Sequence, residues 1–233
     1  MDDHEITWSS PPSNWRFEAG RPHVWAVSLR VSVETLNRFS ATLSPDEHAR
    51  ADRFHFEVDR LRFVAGRGLL RRILARYLDA QPEEIEFEYG PHGKPALGGR
   101  FAQSGLLFNL AHCESLALVA VSRNATIGVD VERVRSLPDA DDLASRFFSP
   151  GERNRYHNFP TQQRPDAFFN IWTRKEAWLK ASGEGIACSL NEVDPPPRWK
   201  LHDLAPADGF AGALATGTAD SPPVCWRWSK DHE

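Results

Sequence analysis

Ser149-Pro150-Gly151-Glu152 repeats, 105 residues on, the pattern of Ser44-Pro45-Asp46-Glu47, and this pair of stretches decides the fold. Each supplies a serine cap, a first-turn proline and an early acid, the signals that open a helix. At the same offset Val24 aligns with Val129, Arg30 with Arg135, Arg50 with Arg155, Phe54 with Phe159, Phe63 with Phe168 and Leu74 with Leu179. Self-similarity at one fixed shift marks repeated structural units. The 233 residues, which length alone leaves open between one domain and two, are therefore expected to form two similar lobes. The expected class is α+β, a pseudo-dimer in which each lobe sets a small, mostly antiparallel sheet against a long helix. An arm over 1–22 precedes a first lobe over 23–124 and a second over 125–233.

Local patterns fill in the lobes. His23 to Ser32 and Thr126 to Val134 read as strands, Leu106–Asn109 and Leu116–Ser122 as a strand pair, and Glu86–Tyr89 and Val224–Trp228 as short strands. Apolar residues recur at helical spacing from Asp59 to Leu78, with Gly66 and Gly68 as weak points, and Asp166 to Ser182 is a second long helix ended by Gly183 and Gly185. Pro91-His92-Gly93-Lys94-Pro95 is punctuated like a turn, and beyond Pro197 the signal fades until the last strand.

Composition sets limits. Apolar residues at 41% and charged residues at 26% are ordinary globular usage, and the charge of −4 gives no reason to expect nucleic acid or an anionic membrane as partner. Cys113, Cys188 and Cys225 form no metal or disulfide pattern, and the acidic amino terminus offers no export signal, so a reducing, cytoplasmic setting is expected.

The repeat is informative where it fails. Trp25, Val27 and Arg71 of the first half align with Asp130, Glu132 and Glu176 of the second, as one asymmetric site between two related lobes requires. In Gly128-Val129-Asp130-Val131-Glu132, strand alternation puts Asp130 and Glu132 on one face and the valines on the other. Two carboxylates so placed need a cation or proton between them, and an all-oxygen set favours Mg²⁺, although a solvated edge strand reads equally well from this motif alone. In Trp172-Thr173-Arg174-Lys175-Glu176-Ala177-Trp178-Leu179-Lys180, Glu176 and Lys180 are helical neighbours on a side that Trp172 and Leu179 make partly apolar, where an unpaired acid is costly. Arg60, Arg62, Arg67, Arg71, Arg72 and Arg76 crowd one helix; Arg67 and Arg71 share a face and could receive a phosphate.

Together these motifs resemble the 4′-phosphopantetheinyl transferase superfamily. Gly-Val-Asp-Val-Glu at 128–132, followed by Trp-Thr-Arg-Lys-Glu-Ala-Trp-Leu-Lys at 172–180, carries the likeness. The length, the pseudo-repeat, Gly93-Lys94-Pro95 and Phe108-Asn109-Leu110-Ala111-His112 point to its Sfp-type, surfactin-synthetase-activating branch. The resemblance implies an enzyme of the holo-[acyl-carrier-protein] synthase kind that moves the arm of coenzyme A onto a serine of an acyl or peptidyl carrier protein. It implies Asp130, Glu132 and Glu176 as Mg²⁺ ligands, Lys175 and Lys180 beside the phosphates and His112 on the pyrophosphate. Lys94 and Pro95 would lie at the nucleotide, and Glu176 or a metal-bound water would accept the serine proton. Arg71, repeat-mate of Glu176, would face the same cleft and meet the 3′-phosphate with Arg67. Ala111 stands where the family often has serine, which removes a hydroxyl from the site. The chain is expected to act as a monomer.

Two other readings share these residues. A different Mg²⁺-dependent phosphoryl enzyme could use the same acids, but no basic surface or interleaved aromatics support a nuclease. A nonenzymatic carrier-binding module would have no reason to keep three carboxylates and two lysines together. Cys113 cannot pair with His112 for catalysis, because adjacent residues on a strand face opposite ways.

Overall fold

A computed structural model describes residues 6–13, 15, 17, 20–91, 93–183, 191, 194–217 and 221–229. Cys188 and Gly185 lie outside them, as does His92 of the predicted turn. Ten strands and six α-helices run in the order β1 (Trp8–Ser9), β2 (His23–Ser28), α1 (Val33–Ser40), α2 (Pro45–Ala51), α3 (Glu57–Leu78), β3 (Phe87–Tyr89), β4 (Pro95–Leu97), β5 (Leu106–Cys113), β6 (Leu116–Arg123), β7 (Ile127–Arg133), α4 (Ala140–Phe147), α5 (Pro150–Asn158), α6 (Arg164–Ser182), β8 (Lys200–Leu204), β9 (Phe210–Thr216) and β10 (Val224–Arg227) among the described residues.

The strands make a five-stranded sheet, β1-β10-β2-β6-β5, a three-stranded sheet, β7-β9-β8, and a small β3-β4 ribbon. Alternation on the strands separates two cores. On β2, Trp25 and Val27 join Leu69, Leu70, Ile73 and Leu74 of α3 on one face. Val24 and Ala26 point the other way, with Leu118 and Ala120 of β6, against Ile127, Val129 and Val131 of β7. The layers are thus α3, sheet, sheet, α6, with the expected antiparallel pairs and one long helix on the outside of each lobe.

Two expectations about the lobes need revision. The final strand β10 belongs to the first lobe's sheet, where it pairs in parallel with β2 on one side and with β1 of the arm on the other. The chain therefore crosses back over the 124/125 boundary, and Trp8–Ser9 of the arm add a two-residue strand to the same sheet. In addition, the stretch that looked featureless holds β8 and β9. Phe210–Thr216 reads Phe-Ala-Gly-Ala-Leu-Ala-Thr, without the β-branched residues that announce a strand. Small residues are required there, because Ala213 and Ala215 are fully covered by Ala177 and Ala181 of α6. Among the described residues no helix is long and apolar enough to cross a membrane.

Both helix starts form as expected, and each does more than cap. Ser149 N donates to Glu152 Oε2 at 2.8 Å, and Glu152 N returns a bond to Ser149 Oγ at 3.1 Å. Ser44 N likewise donates to Glu47 Oε2 at 3.0 Å. Each glutamate then continues inward to a cation on the long helix of its lobe. Gly68, read as a weak point of α3, is a contact point: a β-carbon there would collide with Phe39 of α1.

Candidate active site at the lobe seam

β7 carries Gly128, Asp130 and Glu132 on the face opposite its buried valines, towards α6. A β-carbon at Gly128 would run into Ala177 O and Ala181 N, so strand and helix meet backbone to backbone. This contact brings Lys180 Nζ to 2.6 Å from Asp130 Oδ1. Asp130 is 5% exposed, and its other oxygen, Oδ2, is buried with no hydrogen-bond partner. Such an orphan acceptor is costly unless something else satisfies it.

The neighbouring acids sense each other. Glu132 is half-buried, and burial, then the Asp130 charge, push its pKa up against the pull of Arg135 and Lys180. Burial raises the pKa of Glu176 as well, with Lys180 lowering it and Asp130 and Glu132 raising it. The three carboxylates thus share one pocket with one lysine. Among the described residues, however, no three ligating side chains close on a common point.

The first lobe reaches into the same pocket. The Cys113 thiol on β5 lies in the field of Glu132, and burial first, then that charge, raise its pKa. His112, on the solvent-facing side of β5, has its pKa lowered by desolvation, then by the charges of Arg62 and Lys180. Arg62 is therefore the arginine of α3 whose field extends to the seam, and its i,i+3 partner Asp59 hides this in the sequence as an ordinary surface pair.

The structure does not bring Arg67, Arg71 or Lys175 to this pocket. Arg71 is 1% exposed, and its Nη2 lies 2.6 Å from Glu47 Oε2 while Nη1 donates to Ile85 O at 2.7 Å and Pro82 O at 3.0 Å. Arg67 Nε meets Glu47 Oε1 at 2.7 Å, and its guanidinium lies 4.6 Å from the Phe87 ring centre. Both guanidiniums are buried against Glu47 and near the Phe87 ring, so neither is turned towards the acids of the seam. Lys175 is 1% exposed and binds Glu152 Oε2 at 2.5 Å. The repeat-mate of Arg71 is consequently Lys175, not Glu176: the paired glutamate lies 24 residues before Arg71 but 23 before Lys175. One residue fewer separates helix start from long helix in the second lobe, and the 105-residue register slips by one there.

Lys94 is engaged by backbone carbonyls in this structure. Its ammonium donates to Lys180 O and to Ile127 O, the latter at 3.3 Å, and burial lowers its pKa. Pro95 begins β4 beside it, half-buried.

The fold and the site define, as a class, a duplicated α+β protein with one asymmetric cluster of acids, lysine and histidine between its two lobes. Residues 126–205 match the family model of the 4′-phosphopantetheinyl transferase superfamily, and residues 29–124 match that of the 4′-phosphopantetheinyl transferase N-terminal region. The chain is 42% identical to the 4′-phosphopantetheinyl transferase HetI of Nostoc over 95% of its own length and 98% of the relative's. It is 33% identical to the transferase psf-1 of Bacillus pumilus over 70% of its length and 66% of the relative's, and 27% identical to Sfp of Bacillus subtilis over 69% of each. The chain belongs to the 4′-phosphopantetheinyl transferase superfamily, in its Sfp-type branch.

Proposed function

We propose that this transferase moves the phosphopantetheine arm of coenzyme A to a serine of an apo acyl or peptidyl carrier protein, with Mg²⁺ held by Asp130, Glu132 and Glu176. The observation that carries the proposal is Asp130 Oδ2, an acceptor buried without a partner inside a carboxylate cluster. Magnesium suits this open arrangement, since it is commonly held by one or two carboxylates with substrate phosphates and waters completing the shell. Held by these carboxylates, it would supply positive charge against the pyrophosphate of coenzyme A.

The chain's own groups do the rest. Lys180 supplies positive charge at the leaving phosphate, and His112, kept neutral by its surroundings, offers a ring N–H to a pyrophosphate oxygen. Glu176, whose raised proton affinity suits a base, takes the serine hydroxyl proton. The serine oxygen attacks the phosphorus attached to pantetheine and the phosphoanhydride bond breaks. The products are holo-carrier and adenosine 3′,5′-bisphosphate. The Sfp-type likeness supports a transferase of that branch in place of the holo-[acyl-carrier-protein] synthase subtype. Both lobes lie in one chain, which supports action as a monomer, and the free thiols Cys113 and Cys225 suit a reducing cytoplasm.

The test is mass spectrometry of apo carrier proteins incubated with the enzyme, coenzyme A and Mg²⁺. The wild type should add the mass of the arm, chelation should stop it, and Glu176→Gln should lose at least a hundredfold in rate. No added mass on any of a panel of carriers would overturn the reading.

A further inference from the structure

The seam between the lobes has an unusual construction. β5 ends the first sheet and β7 ends the second, and the two strands pack together without a ladder between them. An edge strand buried in this way must find partners for the groups it turns outward. On β7 two side chains of the first lobe provide them. Asn109, 6% exposed on β5, accepts from Val129 N through Oδ1 at 2.8 Å. Lys94, from the β3-β4 ribbon, donates to Ile127 O at 3.3 Å. Ile127 and Val129 are two residues apart, so these groups open on the same edge of the strand. Lys94 also donates to Lys180 O, the backbone carbonyl of the residue whose ammonium meets Asp130.

We propose that Asn109 and Lys94 are positioning residues for the transfer reaction: their side chains stand in for a strand ladder across the seam and fix where β7 and the last turn of α6 place Asp130 and Lys180. The inference rests on the transferase reading of the site. Asn109 lies directly before Asp130 in the chain of contacts, because the amide it holds belongs to the adjacent residue. Lys94 ties both acid-bearing strand and lysine-bearing helix to the same ammonium. Neither side chain need touch the substrate.

Four variants of the full chain test this: Asn109→Ala and Lys94→Met, which remove the bonds, and Asn109→Asp and Lys94→Arg, which keep an acceptor and donors. The first readout is amide hydrogen exchange over residues 127–133 without ligand. Asn109→Ala should speed exchange at Val129 tenfold or more and Asn109→Asp should retain protection; equal protection in Asn109→Ala and wild type overturns the role of Asn109. The second readout is steady-state carrier loading. Lys94→Met should lower kcat tenfold or more with the KM for coenzyme A within twofold, and Lys94→Arg should recover part of the loss. A raised KM at unchanged kcat makes Lys94 a nucleotide contact and overturns its role, as does the absence of any change. Should wild type load no carrier, the transferase reading fails, while exchange still decides whether the bonds hold the strand. If circular dichroism shows Asn109→Ala unfolded, the exchange comparison moves to Lys94→Met, whose loss of protection over 127–133 is expected and whose unaltered exchange overturns the proposal.

Discussion

Arg71 and Glu47 illustrate how one residue's environment overrides its type. Both are almost wholly buried, and Arg71 gives four of its five N–H groups to Glu47 and two carbonyls. Removing one member of such a pair leaves the other charged and dry, at a cost of about 3–5 kcal/mol. Arg71→Met should therefore lower the melting temperature sharply while the KM for coenzyme A in the folded fraction stays within twofold, as calorimetry and loading kinetics would show. Sequence spacing made the arginine visible but not its partner, since a glutamate that caps a helix start gives no sign that it also reaches 24 residues ahead. His202 tests the opposite case. Burial, then Arg174, lower its pKa from the ordinary 6.5, and its Nε2 is buried without a partner. The folded chain thus binds fewer protons there than the unfolded chain below pH 6.5, so the stability it contributes is complete above that pH and is lost as pH falls through and below it. The drop in melting temperature from pH 7.5 to 5.5 should be larger in wild type than in His202→Gln; equal drops would reject the assignment.

At the scale of elements, the spacing of β7 and α6 governs the site. Gly128 lets the two backbones touch, and the reach from Asp130 and Glu132 on the strand to Glu176 and Lys180 on the helix depends on that approach. Gly128→Ala should force the helix outward, costing about 1–3 kcal/mol as overpacking does and reducing kcat more than the KM for coenzyme A. Thermal unfolding beside loading kinetics would check both. The alternation of β7 and the Glu176–Lys180 spacing were legible in the sequence, because period 2 and the i,i+4 relation survive whatever surrounds them. The helix-strand register was not, since it rests on a missing side chain. Nor was β9, whose alanines are small because two layers press on them; propensity favours the large residues that would not fit.

For the whole molecule, the repeat foretold two lobes, but not that β1 and β10, which flank the repeated segments, would pair in one of them. β10 completes the first sheet between β1 and β2, and Trp226 packs 4.7 Å from Trp25 and 5.2 Å from Trp15 between ring centres. A sequence repeat reports equivalent segments and is silent about segments outside it. Ending the chain at residue 220 should therefore unfold the first lobe, not merely trim the second. The near-ultraviolet circular dichroism of the tryptophan cluster should collapse, and an isolated 23–124 fragment should show the same loss. Retention of that signal in either would contradict the shared sheet.

The central place of β2 has a further consequence for how the protein comes into being. A ribosome releases β2 well before β10, one of its two neighbouring strands, which follows β7, β8 and β9 in the sequence. The first lobe must wait, with one edge open, through the synthesis of nearly the whole second lobe, and pairings so distant along the chain form slowly. Because Val129 and Val131 of β7 pack on the face of that unfinished sheet, beside Val24, Ala26 and Cys225, the core between the two lobes closes only once β10 is in place.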